Sequence, residues 1–231
     1  MSEPTTADTI EIPVWFQPPT GFFPLPLDGV EESLSAADTL LTELAPDDQK
    51  PVVGIVVGAL ASLLLELADR DAVYCALGHH LSAVDGGVVT STLVVSLQLT
   101  GGEGDPRLLL AEMVRRRAEE DWRGKADLVT VLGRPVLFLE SVQELPAPRL
   151  PGAPEVAEDG TAPVFTLEAL VPADDGSLLA AVEFATPFVD NGPEFRAMMV
   201  DLAGSVSFRP PPEEPGAEPS APVSSIRAAL G

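Results

Sequence analysis

The stretch from Val88 to Leu99 alternates between mostly apolar and mostly polar residues, and this alternation constrains the fold more than any other feature. The two predicted faces are Ser91, Leu93, Val95, Leu97 and Leu99, and Thr90, Thr92, Val94, Ser96 and Gln98. Such a pattern is typical of an antiparallel strand in a sheet that is covered on one side. The preceding run AVYCALGHHLSA is the predicted hairpin partner, with the turn at Asp85-Gly86-Gly87.

Two further pairs of strands are predicted in the second half of the chain. ADLVTVL and PVLFLESVQE flank a turn at Gly133-Arg134, and VFTLEALVP and LLAAVEFATP flank a turn at Asp174-Asp175-Gly176. Consecutive hairpins without helices between them argue against a parallel Rossmann-type sheet. The sequence therefore predicts an α+β fold, an antiparallel β-sheet of about six strands flanked by helices.

Three amphipathic helices are predicted around these strands. The first spans about 29–45, with Asp28 and Glu31 in the spacing of a capping box. The second runs from Pro106 to about Trp122, with Asp105 as its N-cap residue. The third starts at Gly192-Pro193 and has an apolar stripe of Phe195, Met198, Met199, Leu202 and Val206.

A further helix is predicted over 51–68, in the most apolar run of the chain. Its apolar residues lie on nearly all sides, so we expect it to be buried, and Gly54, Gly58 and Ser62 form a small-residue stripe that permits close packing. A strand over 52–57 followed by a short helix is the alternative. The uninterrupted apolar run ends before Glu66 and is shorter than the roughly 18–20 residues that a membrane span needs.

Composition divides the chain into three predicted parts. Residues 1–27 form a Pro/aromatic N-terminal arm packed on the core, 28–208 a single α+β domain, and 209–231 a disordered Pro-rich tail. The arm carries Trp15, Phe16, Phe22 and Phe23, which alternatively form an exposed partner-binding segment. In the tail, Ile226 and Leu230 fit one turn of a recognition helix, or the tail is a solubilising extension.

The charge and the N-terminus restrict partners and location. A formal net charge of −23 excludes polyanion binding unless a local basic patch overcomes the repulsion, so no nucleic acid is expected. The N-terminus lacks the basic and apolar regions of a secretory signal, which favours a cytoplasmic protein. No phosphate-binding glycine motif is complete, and no cofactor is predicted.

Few residues suggest catalysis or metal binding. Cys75 and His79 share a strand face, but one thiol and one imidazole make half a metal site at most. We interpret His79 and His80 as one solvent-facing and one core-facing histidine beside a buried, unreactive Cys75. No pair stands out among the 36 acidic residues. The cluster Arg115–Arg117 is predicted to form ion pairs along its own helix, with Glu112 and Glu119.

The C-terminal hairpin and helix carry a resemblance to a known family. VFTLEALVP, LLAAVEFATP and PEFRAMMVDLAGSVSF resemble the last elements of the PsbP-like superfamily, through the strand VEFATP, Phe195 and Ser205 to Phe208. The resemblance implies an antiparallel sheet flanked by helices and mostly non-enzymatic roles. These include photosystem accessory subunits, small-GTPase binders and chaperones of secretion-system effectors, and the family offers no catalytic residues to transfer.

Three functions follow as hypotheses. The first is a non-enzymatic protein-interaction module of adaptor or chaperone type, with association with a secretion system as one form of it. Its partner is another protein, and its partner-binding residues are Trp15, Phe16, Phe22, Phe23, Ile226 and Leu230. The alternative is a small-molecule or lipid-binding protein with a pocket between the sheet and helix 51–68. The third, an enzyme that uses Cys75 and His79, requires a reactive thiol.

Overall fold

A computed structural model describes residues 14–46, 50–68, 71–120, 122–146 and 160–210. Seven strands and four α-helices confirm the α+β fold, and the sheet has seven strands where about six were predicted. Their bounds are β1 (Phe22–Pro24), α1 (Val30–Leu44), α2 (Lys50–Ala68), β2 (Ala72–Leu81), β3 (Val88–Leu99), α3 (Pro106–Glu119), β4 (Gly124–Val131), β5 (Arg134–Pro146), β6 (Thr161–Pro172), β7 (Leu178–Thr186) and α4 (Arg196–Ser205).

The strands form one antiparallel sheet in the order β1-β2-β3-β7-β6-β5-β4. The predicted hairpin turns join β2 to β3, β4 to β5 and β6 to β7. The additional strand is β1, which pairs with β2 at the edge of the sheet through Phe22 and Gly78. The prolines around this three-residue strand interrupt the alternating pattern by which a strand is recognised in a sequence. Its position agrees with the normal confinement of proline to sheet edges.

One face of the sheet is covered by α4 and by residues that precede α1. Leu93, Val182 and Phe184 on the strands pack with Met199 and Leu202 of α4 in the main hydrophobic core. Val14, Phe16 and Phe22 join the same core.

Two local interactions hold α4 and its N-cap residue, Phe195, on this face. The rings of Phe184 and Phe195 stack with their centroids 4.7 Å apart. Arg134 at the start of β5 donates hydrogen bonds to the carbonyl oxygens of Gly204 and Val206, at 2.9 and 2.6 Å. A cation at a helix C-terminus stabilises the unpaired carbonyls there.

The opposite face is covered near two ends only. Leu110 of α3 packs on Leu137, Leu170 and Leu179. Helix α3 begins at the predicted cap, where Asp105 accepts a hydrogen bond from the amide of Arg107 at 2.8 Å. At the other end, the buried cluster is Leu67 of α2 with Cys75 and Val94. The expectation of a sheet covered on one side is therefore wrong for this second face, because α3 and the end of α2 both pack there.

The helical hairpin α1–α2 differs most from expectation. Residues 50–68 form one helix, so the strand over 52–57 is excluded. The prediction that this helix is buried is wrong: in the part of α2 whose side chains are described, only Leu64 and Leu67 are buried. The reason is that α2 packs mainly along α1 and reaches the sheet only through its last turns. The predicted capping box is also wrong, because the N-cap residue is Gly29, in the left-handed region with φ 60 and without a side-chain cap.

The replacement Gly192→Ala should destabilise the protein. A Cβ at Gly192 would lie 2.2 Å from Cγ and 2.3 Å from Cδ1 of Phe165, whose ring is buried in the main core. Forcing extra volume into a packed core costs about 1–3 kcal/mol. The free energy of unfolding from urea titration measures this loss.

Gly58→Ala in the middle of α2 is the matched control. Nothing lies within 4 Å of a Cβ there, so alanine should stabilise the helix by roughly 0.5–1 kcal/mol. Equal stability of the two variants would contradict the placement of Gly192 against Phe165.

Candidate functional site

The outward face of α2 is an apolar surface without cover among the described residues. Gly54, Gly58, Ser62 and Leu65 recur at helical spacing on this face, and Ile55 adjoins them. Leu65 is 62% exposed and Ile55 46% exposed. We call this set of five residues the hairpin surface. The two glycines open a shallow groove, since nothing lies within 4 Å of a Cβ at either position.

Charge is distributed unevenly around the hairpin surface. Over its nineteen residues α2 carries only Lys50 and Glu66 as charged side chains. The neighbouring α1 has four exposed acidic residues and no basic residue: Glu31, Glu32, Asp38 and Glu43. A neutral apolar face is thus bordered by a negative helix.

The aromatic residues predicted to bind a partner are separated by the fold. Phe16 and Phe22 are part of the main core, and Phe16 packs edge-on against Tyr74 with ring centroids 5.2 Å apart. Trp15 is half-buried and forms a two-residue β-bridge with Ser207. Phe23 is 65% exposed. Ile226 and Leu230 lie outside the described residues, as do the first thirteen and the last twenty-one residues of the chain, so the predicted division into arm, domain and tail stays a prediction.

A second feature is a polar depression on the face of the sheet that carries α3. Its cavity volume is about 610 Å³, within the roughly 300–1,000 Å³ of small-molecule pockets. It is lined by sheet residues, by Arg117 near the end of α3, by Trp122 between α3 and β4, and by Asp71. We call it the trough. None of the described residues that line it belongs to 50–68, so it is not the pocket expected beside that helix.

The floor of the trough brings two carboxylates together. Glu168 on β6 and Glu183 on β7 are directly opposite each other in the sheet register, and the same row continues to Val94 on β3 and Leu139 on β5, which are both buried. Burial and the nearby Glu183 raise the pKa of Glu168 above its usual range. Like charges directly opposite across two strands destabilise a sheet, so this pair is a cost to the fold.

Arg117 reaches this pair from α3. Its Nη2 atom lies 3.5 Å from Oε2 of Glu168, which lowers the pKa of that carboxyl but does not outweigh burial and Glu183. The prediction of ion pairs along the helix is confirmed for Arg115, which contacts Glu112 and Glu119. It does not describe Arg117, which points to the sheet instead.

Hydroxyl and amide groups continue the trough beside the two carboxylates. The side-chain oxygens of Ser141 and Thr166 are 2.8 Å apart, and the amide nitrogen of Gln143 donates to Ser141 at 3.0 Å. Sequence analysis missed the trough, because alternation assigns a residue to a face without showing its neighbour. The position of the turn could have predicted that the two carboxylates are opposite each other. Glu168 and Glu183 are equally far from the Asp175–Gly176 bond at the centre of the turn.

The expected burial of Cys75 and the expected orientations of His79 and His80 are confirmed. Cys75 is fully buried, and burial raises the pKa of its thiol to about 11. His79 is exposed. His80 packs against the rings of Phe22 and Phe195, and burial, with a smaller effect of His79, lowers its pKa.

Comparison with known proteins adds no family. No family model matches the chain, and no match to a curated protein was found. The resemblance to the PsbP-like superfamily therefore stays a prediction. Within the described ranges, no group of three or more His, Cys, Asp and Glu side chains is placed to hold a metal ion. No helix in that part of the chain combines the length and hydrophobicity needed to cross a membrane.

Labelling of Cys75 by a thiol reagent should be slow in the folded protein. With a pKa of about 11, roughly one thiol in a thousand is ionised at pH 8, and the side chain is buried. Absorbance assays with a disulfide reagent should give a rate on the order of 100-fold or more below that in guanidinium chloride. Rapid labelling of the folded chain would instead favour the enzyme that uses Cys75 and His79.

The variant Glu168→Gln should be more stable than the natural chain at pH 7. A carboxyl with a raised pKa in the folded state stabilises the fold while protonated, and this stability is lost as the pH rises above about 4.5 and through the folded pKa. Removing the opposed charges should raise the free energy of unfolding at pH 7 by a few tenths to about 1 kcal/mol.

Denaturant titrations at pH 5 and pH 7 check this prediction. The gain from Glu168→Gln should be larger at pH 7 than at pH 5, because Glu168 is more fully ionised there. Glu31→Gln on the exposed face of α1 is the control and should change stability little. A variant that is less stable at pH 7 would show that Arg117 compensates the buried charge.

Proposed function

We propose that this chain is a non-enzymatic protein-interaction module of adaptor or chaperone type that binds its partner through the hairpin surface. The observation that carries the proposal is the exposure of α2, the most apolar of the described helices. Contiguous exposed apolar surface bordered by polar residues is typical of interaction sites. Cytoplasmic location and the lack of a nucleic-acid partner belong to the same proposal.

The energetic argument concerns the large side chains of the hairpin surface. Full burial of a Leu or Ile side chain contributes roughly 1.5–3 kcal/mol relative to exposure. Ile55 and Leu65 are about half or more exposed, so a similar share of this stabilisation is still available when a partner buries them. The groove at Gly54 and Gly58 lets a partner helix approach the backbone of α2 closely, which increases its van der Waals contact.

The charges around α2 indicate the chemistry of the partner. An amphipathic helix that covers the hairpin surface places its flanking residues beside Glu31, Glu32, Asp38 or Glu43 of the neighbouring α1. Basic flanking residues are attracted there, and acidic ones are repelled by these residues and by the net charge of −23. The proposed partner is therefore another protein that offers an amphipathic helix with an apolar stripe bordered by Lys or Arg. The high charge of the chain disfavours a second copy.

Fluorescence anisotropy with designed helical peptides tests this function. Two peptides share one apolar stripe, and the residues beside it are Lys in one and Glu in the other. The Lys peptide should bind the full chain at least about tenfold more tightly in about 0.15 M salt, and the difference should shrink in about 0.5 M salt because the charges are then screened.

Variants locate the binding surface. Ile55→Glu should weaken the Lys peptide about tenfold or more, because it places a carboxylate in the apolar interface. Val84→Glu is the matched control, since Val84 is an exposed valine in the loop between β2 and β3. Equal binding by the Ile55→Glu variant would contradict the proposal. A dimer in sedimentation that Ile55→Glu converts to a monomer would instead identify a second copy as the occupant.

A further inference from the structure

The two edges of the sheet differ in how well they are protected from pairing with another chain. The strand β1 forms one edge, is three residues long and contains Pro24, and short edges with proline resist further pairing. The strand β4 forms the other edge over eight residues without proline, and its register with β5 has no bulge. Every residue from Gly124 to Thr130 is exposed, and within the described ranges no strand pairs with the outer side of β4. This is therefore the edge to which another strand can add.

The turn after β4 determines which backbone groups point away from the sheet. Leu132 and Gly133 have positive φ values of 48 and 85, as in the two-residue type I′ turn of hairpins. Val131 and Arg134 close this turn as a hydrogen-bonded pair, so every second residue back along β4 bonds to β5. The residues between them direct their N–H and C=O groups outward, where an extended backbone can pair with them: Gly124, Ala126, Leu128 and Thr130.

The charged side chains of β4 are complementary to a second copy of the same strand. Lys125 and Asp127 lie on the sheet face that α4 covers, and their side chains are 64% and 49% exposed. They are the only charged residues of β4, so the strand has no net charge. When a second β4 pairs antiparallel with the twofold axis at Ala126, Lys125 of each copy lies directly opposite Asp127 of the other copy. Opposite charges in directly opposed positions stabilise a pair of strands.

Charge also disfavours the neighbouring registers. A shift by two residues places either Lys125 opposite Lys125 or Asp127 opposite Asp127, and like charges in opposed positions repel each other. A shift by one residue places the outward backbone groups of one copy against residues of the other copy that already bond to β5. The register about Ala126 is therefore the one that satisfies both the backbone and the charges.

The other face of β4 adds an apolar contact in the same register. Leu128 of one copy lies opposite Gly124 of the other copy, and Leu128 is 47% exposed in the single chain. The ring of Trp122 fills the space beside Gly124, since a Cβ at that glycine would clash with it. Leu128 of the second copy therefore packs on the ring of Trp122, and burial of an apolar side chain against an aromatic ring favours association.

We propose that this chain forms a homodimer in which two β4 strands pair antiparallel about Ala126, so that two seven-stranded sheets join into one. Roughly six backbone hydrogen bonds then connect Gly124, Ala126 and Leu128 of the two copies. The net charge of −23 opposes association, but in about 0.15 M salt charges more than about 8 Å from the contact are largely screened. The hairpin surface differs, because the acidic helix α1 borders it directly. The proposal does not rest on the hairpin surface.

Sedimentation velocity of the full chain from about 1 to about 500 μM in about 0.15 M salt tests the dimer. We expect a dimer whose fraction rises with concentration. Lys125→Asp places carboxylates opposite each other and Asp127→Lys places ammonium groups opposite each other, so each variant should dimerise about tenfold or more weakly. An equimolar mixture of the two variants has opposite charges at both pairs and should recover the dimer.

A matched control separates the contact from the overall charge. Asp38→Lys on the exposed side of α1 makes the same charge change as Asp127→Lys and should alter dimerisation by no more than about twofold. Hydrogen exchange identifies the paired backbone groups. Exchange of the Ala126 amide should slow as the protein concentration rises, whereas that of Val129, which bonds to β5, should not change. Denaturant titration of each variant verifies that it is folded.

Three results would overturn the proposal. The first is a chain that stays monomeric at about 500 μM. The second is a set of single variants that dimerise as the natural chain does, or a mixture that dimerises no better than they do, because either result excludes Lys125 opposite Asp127. The third is a dimer that Ile55→Glu dissociates and Lys125→Asp leaves intact, which would place the contact at the hairpin surface.

Discussion

The structure depends on how the two faces of one antiparallel sheet are covered. A sheet is stable only when its apolar side chains are removed from water by other elements. On one face, α4 and the residues before α1 complete a continuous core around Leu93, Val182 and Phe184. On the other face, α3 and the end of α2 cover two separate clusters. The trough lies on this second face, where the sheet side chains are polar.

The sequence supports the prediction of the sheet better than that of its surroundings. Alternation and turn residues are local signals, so the hairpins and the α+β class could be predicted. Burial of α2 could not, because composition shows that a helix is apolar but not whether the same chain covers it. The edge strand β1 was missed for a different reason: three residues next to prolines give no periodic signal.

The candidate sites show the same limit. Arg117 belongs to a cluster whose spacing predicts ion pairs within α3, and only the position of α3 over β6 shows that this arginine faces Glu168. Phe16 and Phe22 stand out as aromatic residues near the N-terminus, but the structure uses them in the core. Prediction from sequence identified residues with unusual chemistry, whereas tertiary contacts decide which of them remain available.

The hairpin surface and the trough are opposite exceptions to one rule. Apolar side chains are exposed on α2, and charged side chains are half-buried on β6, although folding favours the reverse. Between them lies the buried cluster of Leu67, Cys75 and Val94, which attaches α2 to the sheet. This cluster is far smaller than the main core, so local opening there costs less free energy than global unfolding. The α1–α2 hairpin is therefore attached to the sheet by fewer buried side chains than α4 is.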